Sequence, residues 1–308
     1  MDYTDGATPS GTSAYEKRGI AVKVPVWNAD DCIECNFCSM EYPHAVIRPV
    51  VLDEKQLKSA PKGMVTKALN GMDNYKFAII VSTYDCKVCG VCVEDCPGKR
   101  GEKLYIWTIL NRTKVHKNIL ILVHIYLLKM MLEHFKEKTV KGSQFKKSIL
   151  EFSGVCGGCD ETPYAKLITQ LFIDRMYIAN ATGCSSIWGN SLTSTPYTKN
   201  IFGRGPAWNN SLFEDNAEFG YGMLLGQNAI RESLVKKVAL LMGKATCNLK
   251  VACNEYLNTK DNSKNNLIAT DKLLSELKNN KTELAEEILD EKKRKSLLVQ
   301  MMLKVLII

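Results

Sequence analysis

"CKVCGVCVEDCP", residues 86–97, is a complete C-x2-C-x2-C-x3-C-P run. Three thiolates at this spacing wrap one face of a cubane iron–sulfur cluster, because cysteines with two intervening residues reach separate irons. Gly90 leaves room for backbone to approach inorganic sulfide. Pro97 ends the loop and directs Cys96 away from its own run. Zinc is the rival occupant, but zinc sites usually draw two cysteines from each of two separate knuckles, and this run is contiguous. The spacing therefore predicts an iron–sulfur site built on Cys86, Cys89 and Cys92.

Upstream, "CIECNFCSMEYP", residues 32–43, repeats the run with one change: Tyr42 stands where the fourth cysteine belongs, ahead of the expected Pro43. Where two such runs share a domain, the fourth cysteine of each ligates the other cluster. One cluster then takes Cys32, Cys35, Cys38 and the remote Cys96, a complete set. The other keeps Cys86, Cys89 and Cys92 and meets Tyr42. A three-iron cluster or a solvent-ligated fourth iron suits that second site better than Tyr ligation, because the phenol is far longer than a cysteine side chain. A single-base change from a Cys codon is the third reading. His44 reads as a packing or sulfur-shielding residue.

The 308-residue chain carries twelve cysteines and a net charge of +8, with 45% apolar and 24% charged residues. That length allows about two domains. Residues 1–20 are polar with no apolar core, so no secretory leader is expected and metal or redox chemistry is favoured over disulfides. The basic residues are scattered and not interleaved with aromatics, which argues against nucleic-acid binding; a solubilising surface or a steering patch for an acidic partner both fit. A third group, Cys156 and Cys159 in "CGGCDETPY" with Cys184 in "ATGCSS", supplies three more thiolates. A C-x-x-C redox pair is its alternative. Cys247 and Cys253 read as incidental thiols.

Strands are expected at "IAVKVPVW" and "KFAIIVS", and at "MYIANATG", where a strand ends in a Gly turn. The window 119–132, "ILILVHIYLLKMML", is 14 residues long. A membrane span needs about 20, so a buried or partner-seeking helix is expected. Residues 226–308 read as helices, with Asn280 and Glu283 as a capping pair and "EKKRK" (291–295) as a solvated helix end. Trp188 and Trp208 lie in Gly/Asn-rich loops, where packing or substrate contact are both open.

Taken together, "GTSAYEKRGIAVKVPVW", the cysteine runs, "VKGSQF", "EFSGVCGGCDETPYAKLITQLF", "DRMYIANATGCSSIWG" and "GRGPAWNNSLFEDNAEFGYGM" resemble the 2-oxoacid:ferredoxin oxidoreductase family of anaerobes, specifically its pyruvate:ferredoxin (flavodoxin) oxidoreductases, over about residues 6–103 and 139–290. The resemblance implies an extended arm (1–24), an α+β ferredoxin-like domain with two 4Fe–4S clusters (25–103), an atypical linker (104–140) and an incomplete, truncated α/β thiamine-diphosphate-binding domain (141–308). It makes Cys156, Cys159 and Cys184 three of four ligands of a proximal 4Fe–4S cluster, and Glu161 and Cys184 contacts of thiamine diphosphate. It implies an enzyme that decarboxylates pyruvate on thiamine diphosphate with Mg2+, yields acetyl-CoA, and passes electrons to ferredoxin or flavodoxin. The implied setting is a homodimer in the cytoplasm or a hydrogenosome-like organelle, with no membrane and no nucleic acid. No catalytic side chain is assigned to this chain. The chain departs from the family at Tyr42, over 104–135, and after about residue 290, where the Gly-Asp-Gly motif and the fourth proximal ligand should follow; the domains completing the pyruvate and coenzyme A site also lie outside it. An internal part of the longer enzyme is thus expected, incomplete as a catalyst alone. An autonomous two-cluster electron carrier (residues 20–103) and a non-functional remnant are the alternatives.

Overall fold

The computed structural model describes residues 8–99, 105–109, 135–136, 138–172, 176–191, 194–200, 203–245, 247–293 and 304–307. It is a mixed α/β structure whose first two cysteine runs lie in the N-terminal half. Two compact units divide it: Met1–Asp174 with Ser186–Pro206, and Arg175–Ser185 with Ala207–Ile308.

In the first unit, β1 (Lys23–Trp27) realises the "IAVKVPVW" strand. It pairs antiparallel with β5 (Tyr105–Ile109), Lys23 opposite Ile109. Between them run α1 (Phe37–Glu41), β2 (Ile47–Leu52), α2 (Glu54–Ser59), β3 (Lys67–Leu69), β4 (Met72–Val81) and α3 (Val91–Glu94). The sheet order is β2-β4-β3, all antiparallel. β2 carries Pro49, which offers no ladder N–H, and accordingly lies at the sheet edge. β3 and β4 are joined by Asn70-Gly71, with Gly71 at φ 82°, the left-handed geometry a two-residue hairpin demands. β4 starts four residues before "KFAIIVS", because this turn carries the ladder back to Met72. Asp53 caps α2 in a reciprocal box with Gln56.

The core of this unit is an edge-to-face aromatic series. Phe77 meets Trp27 at 5.9 Å and Phe145 at 6.2 Å. Phe145 ends α4 (Val140–Phe145), whose cap Thr139 accepts from the Gly142 N–H. A Cβ at Gly142 would stand 2.2 Å from the Lys136 carbonyl oxygen. Backbone on both sides of that contact leaves little to yield, so Gly142→Ala is expected to cost about 1–3 kcal/mol. A urea midpoint for this unit unchanged from wild type would show that the 136–142 turn relaxes freely. The N-terminal arm is tied down: Gly11 and Ser13 donate to the carbonyls of Tyr197 and Thr195.

The second unit holds a parallel sheet in the order β7-β6-β8, from β6 (Met176–Asn180), β7 (Ala207–Asn210) and β8 (Lys304–Ile307). β6 is buried along its whole length, as a central parallel strand must be, and it matches the strand read at "MYIANATG". Four helices follow β7: α6 (Asn216–Lys244), α7 (Cys247–Thr259), α8 (Ser263–Lys278) and α9 (Glu283–Lys293). Leu234, Val238 and Leu241, at helical spacing on α6, pack with Tyr256, Leu273 and Ile288. Cys253 sits in this core as a small apolar side chain; the Cys247 side chain lies outside the described residues.

The expected Asn280–Glu283 capping pair does not form. Asn280 instead accepts from the N–H and hydroxyl of Thr282, and the Thr282 carbonyl receives the first helical N–H groups. Thr282, one residue before the helix, is the better-placed cap. The apolar window 119–132 and the side chains of 291–308 lie outside the described residues. Among the described residues, no helix is long and apolar enough to cross a membrane.

Candidate metal centre

The two cysteine runs adopt one conformation twice. In the first, Glu34 and Asn36 flank Cys35 at φ 60° and 63°; in the second, Val88 and Gly90 flank Cys89 at φ 56° and 83°. Each pattern ends in a short helix, α1 carrying Cys38 and α3 carrying Cys92. Left-handed residues set among right-handed ones turn successive N–H groups inward, a concavity suited to anions such as sulfide-bearing clusters. Asn and Gly are the residues that enter the left-handed region at low cost. Their recurrence at matching positions, 36 and 90, is a signal in the sequence that spacing alone does not use. No protein atom lies within 4 Å of where a Gly90 Cβ would be.

Glu34 is not β-branched, yet its positive φ is held firmly. Its carboxylate is fully buried, accepts from the Asn70 N–H at 3.2 Å, and faces Lys141 at 3.3 Å and Lys67 at 3.7 Å. The Glu34 N–H donates to the Cys32 sulfur at 3.4 Å. Burial pushes the Cys32 thiol up, and this N–H and the Trp27 indole oppose the shift. The Trp27 indole N–H is buried and turned to Cys32, with no hydrogen bond of good geometry among the described residues, a donor beside the first run that an anionic sulfur would engage fully. Cys86 repeats the arrangement: burial raises it, while the Tyr42 hydroxyl and the Val88 N–H lower it. Cys92 is raised by burial first, then by Cys38, Cys89 and Cys86. Crowded, buried thiols are reluctant to ionise unless a cation takes the charge.

No three His, Cys, Asp or Glu side chains among the described residues converge on a single point. A tetrahedral zinc draws its sulfurs to about 2.3 Å from one centre; a multi-iron cluster holds its thiolates apart, on separate irons. The donor set and the N–H concavities fit the latter.

Tyr42 turns away from its own run. Only 1% exposed, it donates its hydroxyl to Cys86 Sγ at 3.4 Å. In the opposite sense, the Lys99 N–H bonds the Asp31 carbonyl at 3.0 Å, bringing the segment after Cys96 beside Cys32. His44 stacks edge-on against Tyr42 at 5.5 Å and its Nδ1 meets the Ser153 carbonyl at 3.1 Å. It packs, as the sequence suggested. Burial lowers its pKa to about 4, against about 6.5 in an unfolded chain. The unfolded state therefore binds the proton first, and stability is lost as pH falls from about 6.5 towards 4, by on the order of 3 kcal/mol in all. His44→Gln should flatten that part of the pH–stability curve by up to one proton. Parallel curves for the two proteins would show that His44 is not held neutral.

The third run lies against the second. Lys87 Nζ donates to the carbonyls of Gly154 and Val155, each at 2.6 Å, and the site of a Gly157 Cβ is 3.6 Å from Cys89 Cβ. The turn from Cys156 to Cys159 uses Gly158 at φ 82°. It leads into α5 (Glu161–Phe172), where Thr162 donates to the Pro43 carbonyl. Lys166 on the same helix is wholly buried and donates to the Ser39 carbonyl and to Gln144 Oε1. Burial lowers its pKa to about 7. Neither Lys87 nor Lys166 stands out in the sequence, because a tethering lysine has no spacing signature. Glu161 Oε2 accepts from Trp188 Nε1 at 3.1 Å, and Trp188 also packs on Tyr197. Trp208, in the other unit, has a buried indole N–H without a protein partner. Cys156 and Cys159 belong to the first unit; Cys184, exposed, belongs to the second.

Comparison with known proteins gives close relatives. The chain is 49% identical over 262 residues to the pyruvate-flavodoxin oxidoreductase of Enterobacter agglomerans, covering 83% of the chain and 22% of that protein. It is 48% identical over 263 residues to the pyruvate:ferredoxin oxidoreductase of Moorella thermoacetica, covering 84% of the chain and 22% of that protein. A pyruvate dehydrogenase (NADP(+)) of Cryptosporidium parvum is 50% identical over 230 residues, 74% of the chain and 12% of that protein. No family model matches the chain.

Proposed function

The chain belongs to the pyruvate:ferredoxin (flavodoxin) oxidoreductase family, spanning about a fifth of the length of the curated relatives it matches, and from that premise we propose that it is the electron-relay part of a pyruvate-oxidising enzyme. The observation that carries this reading is the order of the cysteine runs: first against second through Tyr42, second against third through Lys87. Adjacent redox groups in series make a wire.

In this reading Cys32, Cys35, Cys38 and Cys96 hold one 4Fe–4S cluster in a ferredoxin-like domain. Cys86, Cys89 and Cys92 hold the second cluster. Cys156, Cys159 and Cys184 contribute to a proximal cluster beside thiamine diphosphate, with Glu161 and Cys184 on the cofactor in a thiamine-binding domain that this chain carries in part. When bound, the clusters supply one-electron transfer and thiamine diphosphate with Mg2+ supplies carbanion chemistry. The chain's own residues do the holding. N–H groups of Glu34 and Val88 stabilise thiolates, Lys87 fixes the spacing between second and third runs, and the half-buried Trp188–Glu161 bond fixes the Glu161 carboxylate. Ferredoxin or flavodoxin is the acceptor, and the pyruvate and coenzyme A site is completed outside this chain.

Anaerobic reconstitution with iron and sulfide tests the proposal. The expected product is brown, loses its visible absorption on reduction and shows EPR signals, yet reduces no viologen dye with pyruvate, coenzyme A and thiamine diphosphate. A colourless chain that takes up zinc in stoichiometric amount sinks the relay reading. Pyruvate-dependent dye reduction sinks the claim that the chain is only part of the catalyst.

A further inference from the structure

The two halves of the repeated loop are alike in backbone but not in their closing residue. "EYP" (41–43) and "DCP" (95–97) occupy corresponding places, so Tyr42 stands for the second run where Cys96 stands for the first. A cysteine would end one atom beyond Cβ and meet an iron there. The longer Tyr42 side chain carries its hydroxyl as far as Cys86 Sγ, at 3.4 Å. Tyr42 is only 1% exposed, so the side chain that stands in for the missing thiolate is itself shut off from solvent. The hydroxyl is already engaged with sulfur as a donor, which is the wrong role for an iron ligand.

We propose that the Cys86, Cys89, Cys92 site holds a 3Fe–4S cluster, with the Tyr42 ring occupying the vacant corner and its hydroxyl donating a hydrogen bond to the Cys86 thiolate. This rests on the relay reading above and adds the nuclearity of one station and the residue that sets it. Three thiolates satisfy three irons, and the ring excludes both a fourth iron and its water. The hydroxyl donor would withdraw charge from the ligand sulfur, which favours the reduced form of a cluster bound there.

The test uses the whole chain, reconstituted anaerobically and kept in excess ferrous iron, conditions that fill any labile fourth corner having a ligand. An oxidised 3Fe–4S cluster is paramagnetic, whereas an oxidised 4Fe–4S cluster of this kind is diamagnetic. The wild-type chain is expected to show an EPR signal in the oxidised state integrating to about one spin per chain. Tyr42→Cys should lose that signal, take up more iron and gain a four-iron signal on reduction. Tyr42→Phe should keep the oxidised-state signal but with a midpoint potential shifted negative. A wild-type chain that is EPR-silent when oxidised and shows two four-iron signals when reduced overturns the three-iron assignment while leaving the relay reading intact. An oxidised-state signal that appears only in Tyr42→Phe, with the wild type silent, would make the phenol a ligand of a fourth iron and equally overturn it. If neither the wild-type chain nor Tyr42→Cys assembles any cluster, the relay reading itself fails.

Discussion

Arg48→Met is expected to destabilise the first unit by about 3–5 kcal/mol. Arg48 projects from β2, a strand buried along its length, and its side chain is 7% exposed. One guanidinium nitrogen bonds Glu151 Oε1 at 2.9 Å and the Ala45 carbonyl at 3.1 Å. Glu151 is 6% exposed, and its N–H is held by the Pro196 carbonyl, so the carboxylate cannot swing to water. Removing the guanidinium takes the hydrogen-bonded cation from a buried carboxylate, and the penalty is that of the under-compensated charge rather than the worth of the pair. The discriminating experiment is the double variant. Arg48→Met with Glu151→Met should recover most of the loss, because a matched apolar pair strands nothing. Hydrogen exchange at β2 and β4 amides reads this unit without averaging over the other. A double variant as unstable as Arg48→Met would mean that the Ala45 contact, not the ion pair, carries the effect. The consequence reaches the site: Glu151 leads through Ser153 to the third cysteine run, and the Ser153 N–H is bonded to the His44 carbonyl.

The cysteine runs were the legible part of this chain. Their spacing announces a site, and the repeat between residues 32–43 and 86–97 announces that there are two halves. The strands read at "KFAIIVS" and "MYIANATG" emerge at β4 and β6, where buried stretches read as short apolar runs. The helical reading of 226–308 holds for α7, α8 and α9 and for the later part of α6, but α6 begins at Asn216 and Lys304–Ile307 is the strand β8, paired in parallel with β6. What stayed hidden is what holds the loops in place. Glu34, Lys67, Lys87, Lys141 and Lys166 are charged residues that read as surface, yet the Glu34 carboxylate and Lys166 are buried and the others reach inward. Charge placement of that kind depends on a tertiary partner many residues away, which no local pattern encodes. The short β3 strand was missed for a related reason: "KAL" has little strand character, and the Asn70-Gly71 turn is what recruits it. Capping fails at Asn280 because Asn280 and Thr282 compete for one helix start, and only backbone geometry decides between them.

The same burial makes Phe77 the most consequential apolar position. It is 0% exposed on β4, meeting Trp27 and Phe145 edge-on. Phe77→Ala is expected to cost about 3–5 kcal/mol, the transfer loss of the ring plus the cavity it leaves among rigid neighbours. Phe77→Leu, nearer in volume, should cost less than about 1.5 kcal/mol. Cys32, Cys38, Cys92 and Tyr42 belong to the same buried cluster as Phe77, so the void opens in the core that the cysteine loops share. Metal binding and folding share one free energy in such sites. Phe77→Ala should therefore lose more iron than wild type at equal mild denaturant, and saturating iron and sulfide should restore most of its exchange protection. Phe77→Leu should hold iron as wild type does. If Phe77→Ala unfolds more easily but retains iron at the wild-type denaturant concentration, the cysteine loops keep their shape independently of the aromatic core, and the coupling argued here between packing and cluster retention is wrong.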